Sequence, residues 1–427
     1  MTQLPGSEWR ISEGLKSILA ALSVDGQVPY AVGGAVRDSL LGLPVSDVDL
    51  ATPLLPNEVM ERLESAGIKA IPTGIDHGTV TAVAGGKNYE ITTFRRDVAT
   101  DGRRATVAFS GDWREDARRR DFTINALYAD VDSGEVLDCV DGLDDLNALV
   151  IRFIGEASER IAEDHLRILR YFRFLARFGQ DQVDAGAFDA CKAAAAKLQS
   201  LSRERIADEL LKLLGTDDPR FAVNQMVAAD IFSNIVSKID SEAAALLEQL
   251  IAREKAFAVR PSALRRLVAL LPKDAASASK IAKNLRLSKK LQQAVTHRLV
   301  IPAKAGIQPT KNSSNALDSG FCRNDENVSA RAIPALAYYQ GGEAARDIAL
   351  LFSPDTEVAA CLKALEGWQK PIFPIKGGDL IAMGMEPGPA VAETLAKVEE
   401  AWIEEGFPGE EWIQEYLREN GTTFSDS

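Results

Sequence analysis

The first periodic stretch of the chain spaces Trp9, Ile11, Leu15, Ile18, Leu19 and Leu22 as one face of an amphipathic helix within residues 1–27. From residue 28 the period shortens. Ala31–Val32, Val48–Ala51, Val80–Val83, Tyr89–Phe94, Leu127–Val131 and Val136–Cys139 read as short strands alternating with helices up to about residue 150. That alternation predicts an α+β domain with a small mixed sheet. After Leu143 the pattern becomes helical. Ile161–Phe178 is strongly amphipathic and reads as one helix, followed by Ala185–Gln199, Arg203–Leu214 and Pro219–Ala229, with helices continuing to about Arg298.

One segment has no period. Ile301–Glu326 is rich in Gly, Pro, Asn and Ser and reads as an exposed insertion between helices. Lengthening a surface loop costs only ~0.6 kcal/mol per doubling, so the fold is expected to tolerate it.

At 427 residues the chain is too long for one core, and several domains are expected. The N-terminal MTQLPGSEWR lacks the basic-then-apolar order of a signal peptide, and no run approaches the ~20 apolar residues of a membrane span. A cytoplasmic protein without a membrane partner is expected. Cys139, Cys191, Cys322 and Cys361 are scattered and read as reduced thiols. The three histidines, His77, His165 and His297, are too far apart in sequence for a clustered-histidine metal site. The net charge is −13, but its distribution matters more. Ile251–Lys311 carries 14 Lys/Arg against 2 Asp/Glu, whereas Lys376–Ser427 carries 3 against 12. The basic stretch is a candidate phosphate-binding face, and the acidic end is a poor one.

The candidate chemistry lies in Tyr30–Thr52, YAVGGAVRDSLLGLPVSDVDLAT. Gly33 and Gly34 let backbone N–H groups approach a triphosphate, with Arg37 adding charge and Asp38 supporting the turn. Val45–Ala51 alternates as a strand, which places Asp47 and Asp49 on one face. Two carboxylates that close repel each other unless a cation lies between them. Mg²⁺ suits such a pair, completing its octahedron with phosphate oxygens and water. These are the needs of a metal-dependent nucleotidyl transferase.

The stretch resembles the signature of the polymerase-β-like nucleotidyltransferases, and among them the bacterial class II tRNA nucleotidyltransferases, the CCA-adding enzymes. The resemblance continues through His77-Gly78-Thr79-Val80, Glu90–Arg95, Asp101-Gly102-Arg103, Arg119–Ala126 and Glu163-Asp164-x-x-Arg167, in the family's order. It implies a catalytic head followed by an all-α neck, body and tail, here 1–145, 146–216, 217–299 and 329–427, with residues 300–328 inserted. It implies that Mg²⁺ is held by Asp47 and Asp49, with Glu90 a candidate third carboxylate. Arg120, Asp121 and Asn125 would meet the incoming nucleotide, with Asp121 accepting from the ribose 2′-hydroxyl. The polar region Asp97–Thr106 corresponds to a flexible loop linked to the switch from C to A. His77 reads as a turn residue entering a strand, outside the mechanism.

Asp164 and Arg167 lie three apart in a helical pattern and so would share a face. Cytosine and adenine each present an amino donor beside a ring-nitrogen acceptor, and guanine and uracil present the reverse. A carboxylate only accepts and a guanidinium only donates, so the pair fits C and A. Glu163 would orient it, and Arg170 with Arg173 would continue the basic stripe toward phosphate. The expected activity is addition of CCA to tRNA from CTP and ATP, without an obligatory protein partner. Alternatives are a poly(A) polymerase, a CC-only or A-only enzyme, or a non-catalytic tRNA-binding protein.

Overall fold

The computed structural model describes residues 2–23, 26–101, 104–179, 182–236, 239–302, 321–322 and 328–420; over 97–101, 104–107, 301–302 and 321–322 the description is of backbone alone. Two compact units emerge, one formed by Met1–Leu213 with Phe221–Ile235 and the other by Leu214–Arg220 with Val236–Ser427.

The first unit opens with α1 (Glu13–Leu22), shorter than the 1–27 pattern suggests. Trp9 lies outside it but is buried, its indole N–H donating to Ser39 Oγ at 3.0 Å, whereas Ile11 faces solvent. The elements that follow are β1 (Tyr30–Val32), α2 (Gly34–Leu40), β2 (Asp49–Thr52), α3 (Pro56–Ser65), β3 (Lys69–Gly74), β4 (Thr79–Ala84), β5 (Lys87–Thr93), β6 (Arg95–Asp101), β7 (Arg104–Phe109), α4 (Trp113–Arg118), β8 (Tyr128–Asp130) and β9 (Val136–Leu137). Seven of the strands form one mixed sheet in the order β3-β4-β5-β2-β1-β8-β9, in which β2 and β5 run parallel and the other pairs antiparallel. Val32, Ala51, Phe94, Ala117, Ala126, Tyr128 and Ile154 pack as a buried cluster. β6 and β7 pair as a separate two-stranded hairpin over the described part of the region expected as a loop.

Helices then take over: α5 (Gly142–Ala148), α6 (Ala157–Glu163), α7 (Arg167–Phe178), α8 (Ala185–Ala193), α9 (Arg203–Leu214) and α10 (Arg220–Ala228). The expected single helix over Ile161–Phe178 is broken between α6 and α7. Asp164 takes an extended conformation (φ −153°, ψ 107°), and its Oδ1 accepts from the Leu166 N–H at 3.1 Å, closing a turn just ahead of the new helix. α7 then buries Ile168, Leu169, Tyr171, Phe172, Phe174, Leu175 and Phe178 and turns its arginines the other way.

The second unit is built from α11 (Ser241–Ala256), α12 (Ala263–Leu270), α13 (Ala275–Asn284), α14 (Lys289–Leu299), the two-residue pair β10 (Ile301–Pro302) and β11 (Phe321–Cys322), α15 (Ile333–Gln340), α16 (Gly342–Phe352), α17 (Asp355–Lys363), α18 (Gly377–Ala382), α19 (Pro389–Glu404) and α20 (Glu410–Glu419). Apart from β10 and β11, the inserted segment lies outside the described residues. Leu336, Ile348, Trp402 and Leu417 belong to the core of its C-terminal part.

This unit corrects the reading of the basic stretch. Arg253, Arg265, Arg266 and Arg298 are buried. Arg265 and Arg266 grip Glu254 at 2.6 and 2.8 Å, while Asp347 receives Arg265 and Arg298, each at 2.6 Å. Arg253 reaches Asp355 at 2.7 Å and the carbonyls of Leu350 and Ser353. Unpaired buried charges are costly, so these guanidiniums hold helices together and are withdrawn from any phosphate face. Among the described residues, no helix is long and apolar enough to cross a membrane.

Candidate active site

The sheet register builds the site. Val32 pairs with Asp49 across β1 and β2, and Asp49 pairs with Glu90 across the parallel β2 and β5. In a parallel pair, in-register side chains project to the same face, so Asp49 and Glu90 stand side by side. Asp47 precedes β2, which starts at Asp49 and not at Val45. The alternation survives outside the ladder, because Asp47 and Asp49 are exposed and Val48 and Leu50 are buried. Ser46 Oγ donates to Asp47 Oδ2 at 2.8 Å. Asp49 is open to water on one side, yet its carboxyl is held above the usual carboxylate range. Desolvation by the surrounding protein is the main cause, followed by the charge of Glu90; Arg120 pulls the other way, and Asp47 adds a smaller upward push. Among the described residues, no group of three or more His, Cys, Asp or Glu is gathered as a metal cage.

The glycine turn begins where β1 ends. Gly33 has φ 67° and ψ −118°, a conformation suited to glycine, and an added Cβ would meet Arg120 Nη1 at 3.4 Å. Its N–H is already spent on the Leu127 carbonyl at 3.0 Å and cannot serve a phosphate. Gly34 opens α2, where N–H groups have no partner within the helix. A Cβ there would find only Arg37 Nη2 at 3.8 Å, so the fold itself does not require glycine at this position.

Arg37 departs from expectation. It is 4% exposed, donates to Asp38 Oδ1 at 2.8 Å and to Asn125 Oδ1, and lies over the rings of Phe174 and Phe178. It is a buried clamp, and the cation that faces the carboxylates is Arg120. Arg120 borders Gly33, stacks on Tyr128, donates to Tyr128 Oη at 3.1 Å and to Asp116 Oδ2 at 3.2 Å. Asp116 is fully buried and also accepts from Tyr128 Oη–H, Arg119 Nε and the Arg95 N–H at the root of the β6–β7 hairpin. Burial alone would raise its pKa, but Arg120, Arg119 and the tyrosine hydrogen bond outweigh it and hold it at about 2. Its stabilising contribution is present above the ordinary carboxylate range and is lost as pH falls toward that value.

Asp121, expected to take a ribose hydroxyl, is 8% exposed and saturated. Oδ1 accepts from Phe122 N–H and Asn125 Nδ2, and Oδ2 accepts from Arg170 Nε and Nη2 at 2.7 and 2.5 Å. Desolvation pushes its pKa up, and Arg170 more than reverses this. Asn125, in the tight turn Thr123–Asn125, is likewise buried between Arg37 and Asp121. These residues therefore join the head to α7. Arg173 pairs with Glu209 of α9 at 2.7 Å.

Asp164 and Arg167 flank the helix break and do not pair with each other. Arg205 Nη2 donates to Asp164 Oδ2 at 2.6 Å, while Arg167 Nη1 donates to Glu163 and to the Arg160 carbonyl. Glu163 thus contacts Arg167 but not Asp164. His77 closes a tight turn before β4, and its carbonyl accepts from Arg95. Sequence reasoning missed Asp116, Tyr128, Glu209 and Arg205. The Arg-rich motifs that they brace were the available signal, since buried guanidiniums need carboxylates.

A family model described as the poly A polymerase head domain matches residues 29–152, and one described as a probable RNA and SrmB-binding site of polymerase A matches 182–242. The chain is 32% identical to a Streptococcus pneumoniae CCA-adding enzyme, over 98% of this chain and 99% of that protein. It is 33% identical to the mouse mitochondrial CCA tRNA nucleotidyltransferase 1, over 95% and 89%. The Bacillus stearothermophilus CCA-adding enzyme in complex with CTP superposes with a TM-score of 0.71 at 26% identity, covering 96% of this chain and 98% of that one. Matched nearly end to end by such relatives, the chain belongs to the CCA-adding tRNA nucleotidyltransferase family.

Proposed function

We infer that this protein adds C, C and A to the 3′ end of tRNA, using CTP and ATP and releasing pyrophosphate. The observation that carries this is the match over 98% of the chain to a CCA-adding enzyme. The primer 3′-oxygen bonds to the α-phosphorus as the bond to pyrophosphate breaks. Asp47 and Asp49 fit Mg²⁺: they are hard oxygen donors, both exposed, and the pKa of Asp49 is raised first by desolvation and then by the charge of Glu90, with Arg120 opposing and Asp47 adding a smaller push. Two carboxylates suffice for an ion that takes its other ligands from phosphate and water, so a protein-only cage is not needed. Mg²⁺ held by Asp47 and Asp49 would supply charge neutralisation for the triphosphate and a lowered pKa for the attacking hydroxyl. Arg120 supplies charge beside the turn, and Gly34 supplies an N–H. A cytoplasmic location belongs to the same proposal. The deciding experiment incubates a tRNA transcript lacking CCA with Mg²⁺ and CTP, ATP or both, and sequences the products. Addition of CCA with both, and a stop after CC without ATP, supports the reading. A long A tail, CC alone or A alone overturns it.

The two glycines separate fold from function. Gly33→Ala is expected to destabilise by about 1–3 kcal/mol because of its backbone conformation. Gly34→Ala is expected to melt at or above the wild-type temperature, since alanine favours helix, while KM for CTP rises on the order of tenfold from lost close approach. Thermal melts beside steady-state kinetics check both.

For tRNA, the exposed part of the basic stretch is the candidate surface. Lys280 and Lys283 of α13 and Lys289 and Lys290 of α14 are exposed and form no ion pair with a described residue. Replacing all four with alanine is expected to reduce the slope of log affinity against log salt by ~0.7–0.9 for each lysine that meets a phosphate. Filter binding of tRNA across a salt series measures it, and an unchanged slope excludes this face.

A further inference from the structure

The arginines of α7 point to a device for holding the base-reading end of the site in register with the phosphate end. α7 is a 12-residue helix, about 18 Å long at the usual rise per residue. Its first turn carries Arg167, with Asp164 just before it. Its last turn carries Arg177, whose Nη2 donates to Asp38 Oδ2 at 2.9 Å. Asp38 lies on α2, the helix opened by Gly34, and is 7% exposed. Its other oxygen holds Arg37 at 2.8 Å. Phe178 is shared by the same two cations, with Arg37 4.6 Å and Arg177 4.9 Å from its ring centre. One turn from the start of α7, Arg170 holds Asp121. One rigid rod is thus tied to the head one turn in from the base-reading pair and again at its far end, so the Arg177 tie fixes the direction in which the rod runs.

We propose that Asp38 and Arg177 are a positioning pair for nucleotide selection: by tying α7 to the helix behind the glycine turn, they set where Asp164 and Arg167 stand relative to the triphosphate. This rests on the reading of Asp164 and Arg167 as the base-reading pair. Neither Asp38 nor Arg177 touches the nucleotide. Their loss lets α7 shift, so a wrong base gains relative to a right one. A merely structural pair would instead lower the folded fraction and reduce all four nucleotides alike.

The experiment measures kcat/KM for CTP, ATP, UTP and GTP on tRNA lacking CCA, for the wild type, R177Q, R177K, R167A and the R177Q/R167A double variant, with a thermal melt of each. Arg177 has a side chain 39% exposed, so its substitution spares the core. R177Q is expected to lower the CTP-to-UTP ratio about tenfold, within the range of coupling between residues of one network. R177K, which can still meet Asp38, restores most of it. The double variant gives the same ratio as R167A alone, because Arg177 acts only through that end of α7. If R167A collapses the ratio and R177Q leaves it unchanged, the positioning role is overturned while base reading stands. If R167A also leaves it unchanged, base reading falls and the positioning role falls with it.

Discussion

Asp49→Asn is expected to abolish nucleotide addition and at the same time to make the metal-free protein more stable at neutral pH. The loss of rate is on the order of 10³-fold or more, because the variant gives up a carboxylate that would hold the catalytic cation. The gain in stability follows from the raised pKa of Asp49. In the unfolded chain the group ionises near 3.8; in the fold it does so only at higher pH. Between those two values the folded state binds more protons than the unfolded one, so stability falls as pH rises through this window. The cost is complete above the folded pKa and disappears below 3.8. An asparagine has no such cost. With EDTA present, the variant should therefore melt above the wild type at pH 7, and the difference should close as pH is lowered. Adding Mg²⁺ should raise the wild-type melting temperature more than that of the variant, since a ligand stabilises the state that binds it. Equal Mg²⁺ responses, or a variant that still adds nucleotides, would remove Asp49 from the metal site.

That pairing of lost activity with gained stability was half legible in the sequence. The alternation around Val48 correctly placed Asp47 and Asp49 on one side, although the paired ladder starts only at Asp49. The parallel register that sets Glu90 beside Asp49 was not legible, because periodicity reports faces and not strand partners. The same limit explains the arginines. A run such as Arg167–Arg177 has the spacing of a basic face, but whether that face meets solvent or buried carboxylates depends on residues far away: Asp38, Asp121 and Glu209. Part of the basic stretch is withdrawn from solvent for the same reason, since Glu254 and Asp347 each bind two of its arginines inside the second unit. The α+β head and its helical continuation were readable because period 2 and period 3.6 patterns are local. The break at Asp164 was not, because an amphipathic stripe continues across it and only the extended backbone of Asp164 and its turn to Leu166 reveal it.

The break bears on the second large effect. Removing Asp164 or Arg167 is expected to lower kcat/KM for CTP and ATP by about 10–100-fold each, the equivalent of one base-edge contact at ~1–3 kcal/mol. UTP and GTP should fall much less, so discrimination narrows. The geometry supports this because both groups keep unused hydrogen-bonding capacity. A carboxylate offers about four acceptor positions. Asp164 uses one on the Leu166 N–H and one on Arg205, which leaves room for an amino group of cytosine or adenine. Arg167 commits only Nη1, to Glu163 and the Arg160 carbonyl, and its Nε and Nη2 donate to no described residue. Asp121, by contrast, has all its positions taken and cannot read a base or a sugar without first releasing Arg170. Because Arg205 and Glu163 hold the pair from behind, Arg205→Gln should weaken discrimination less than loss of Asp164 itself. Single-turnover incorporation of each of the four nucleotides onto tRNA lacking CCA measures all of this. If the Asp164 and Arg167 variants retain the wild-type ranking of nucleotides, the pair is a partly exposed ion-pair network of under about 1 kcal/mol, and base choice is made elsewhere.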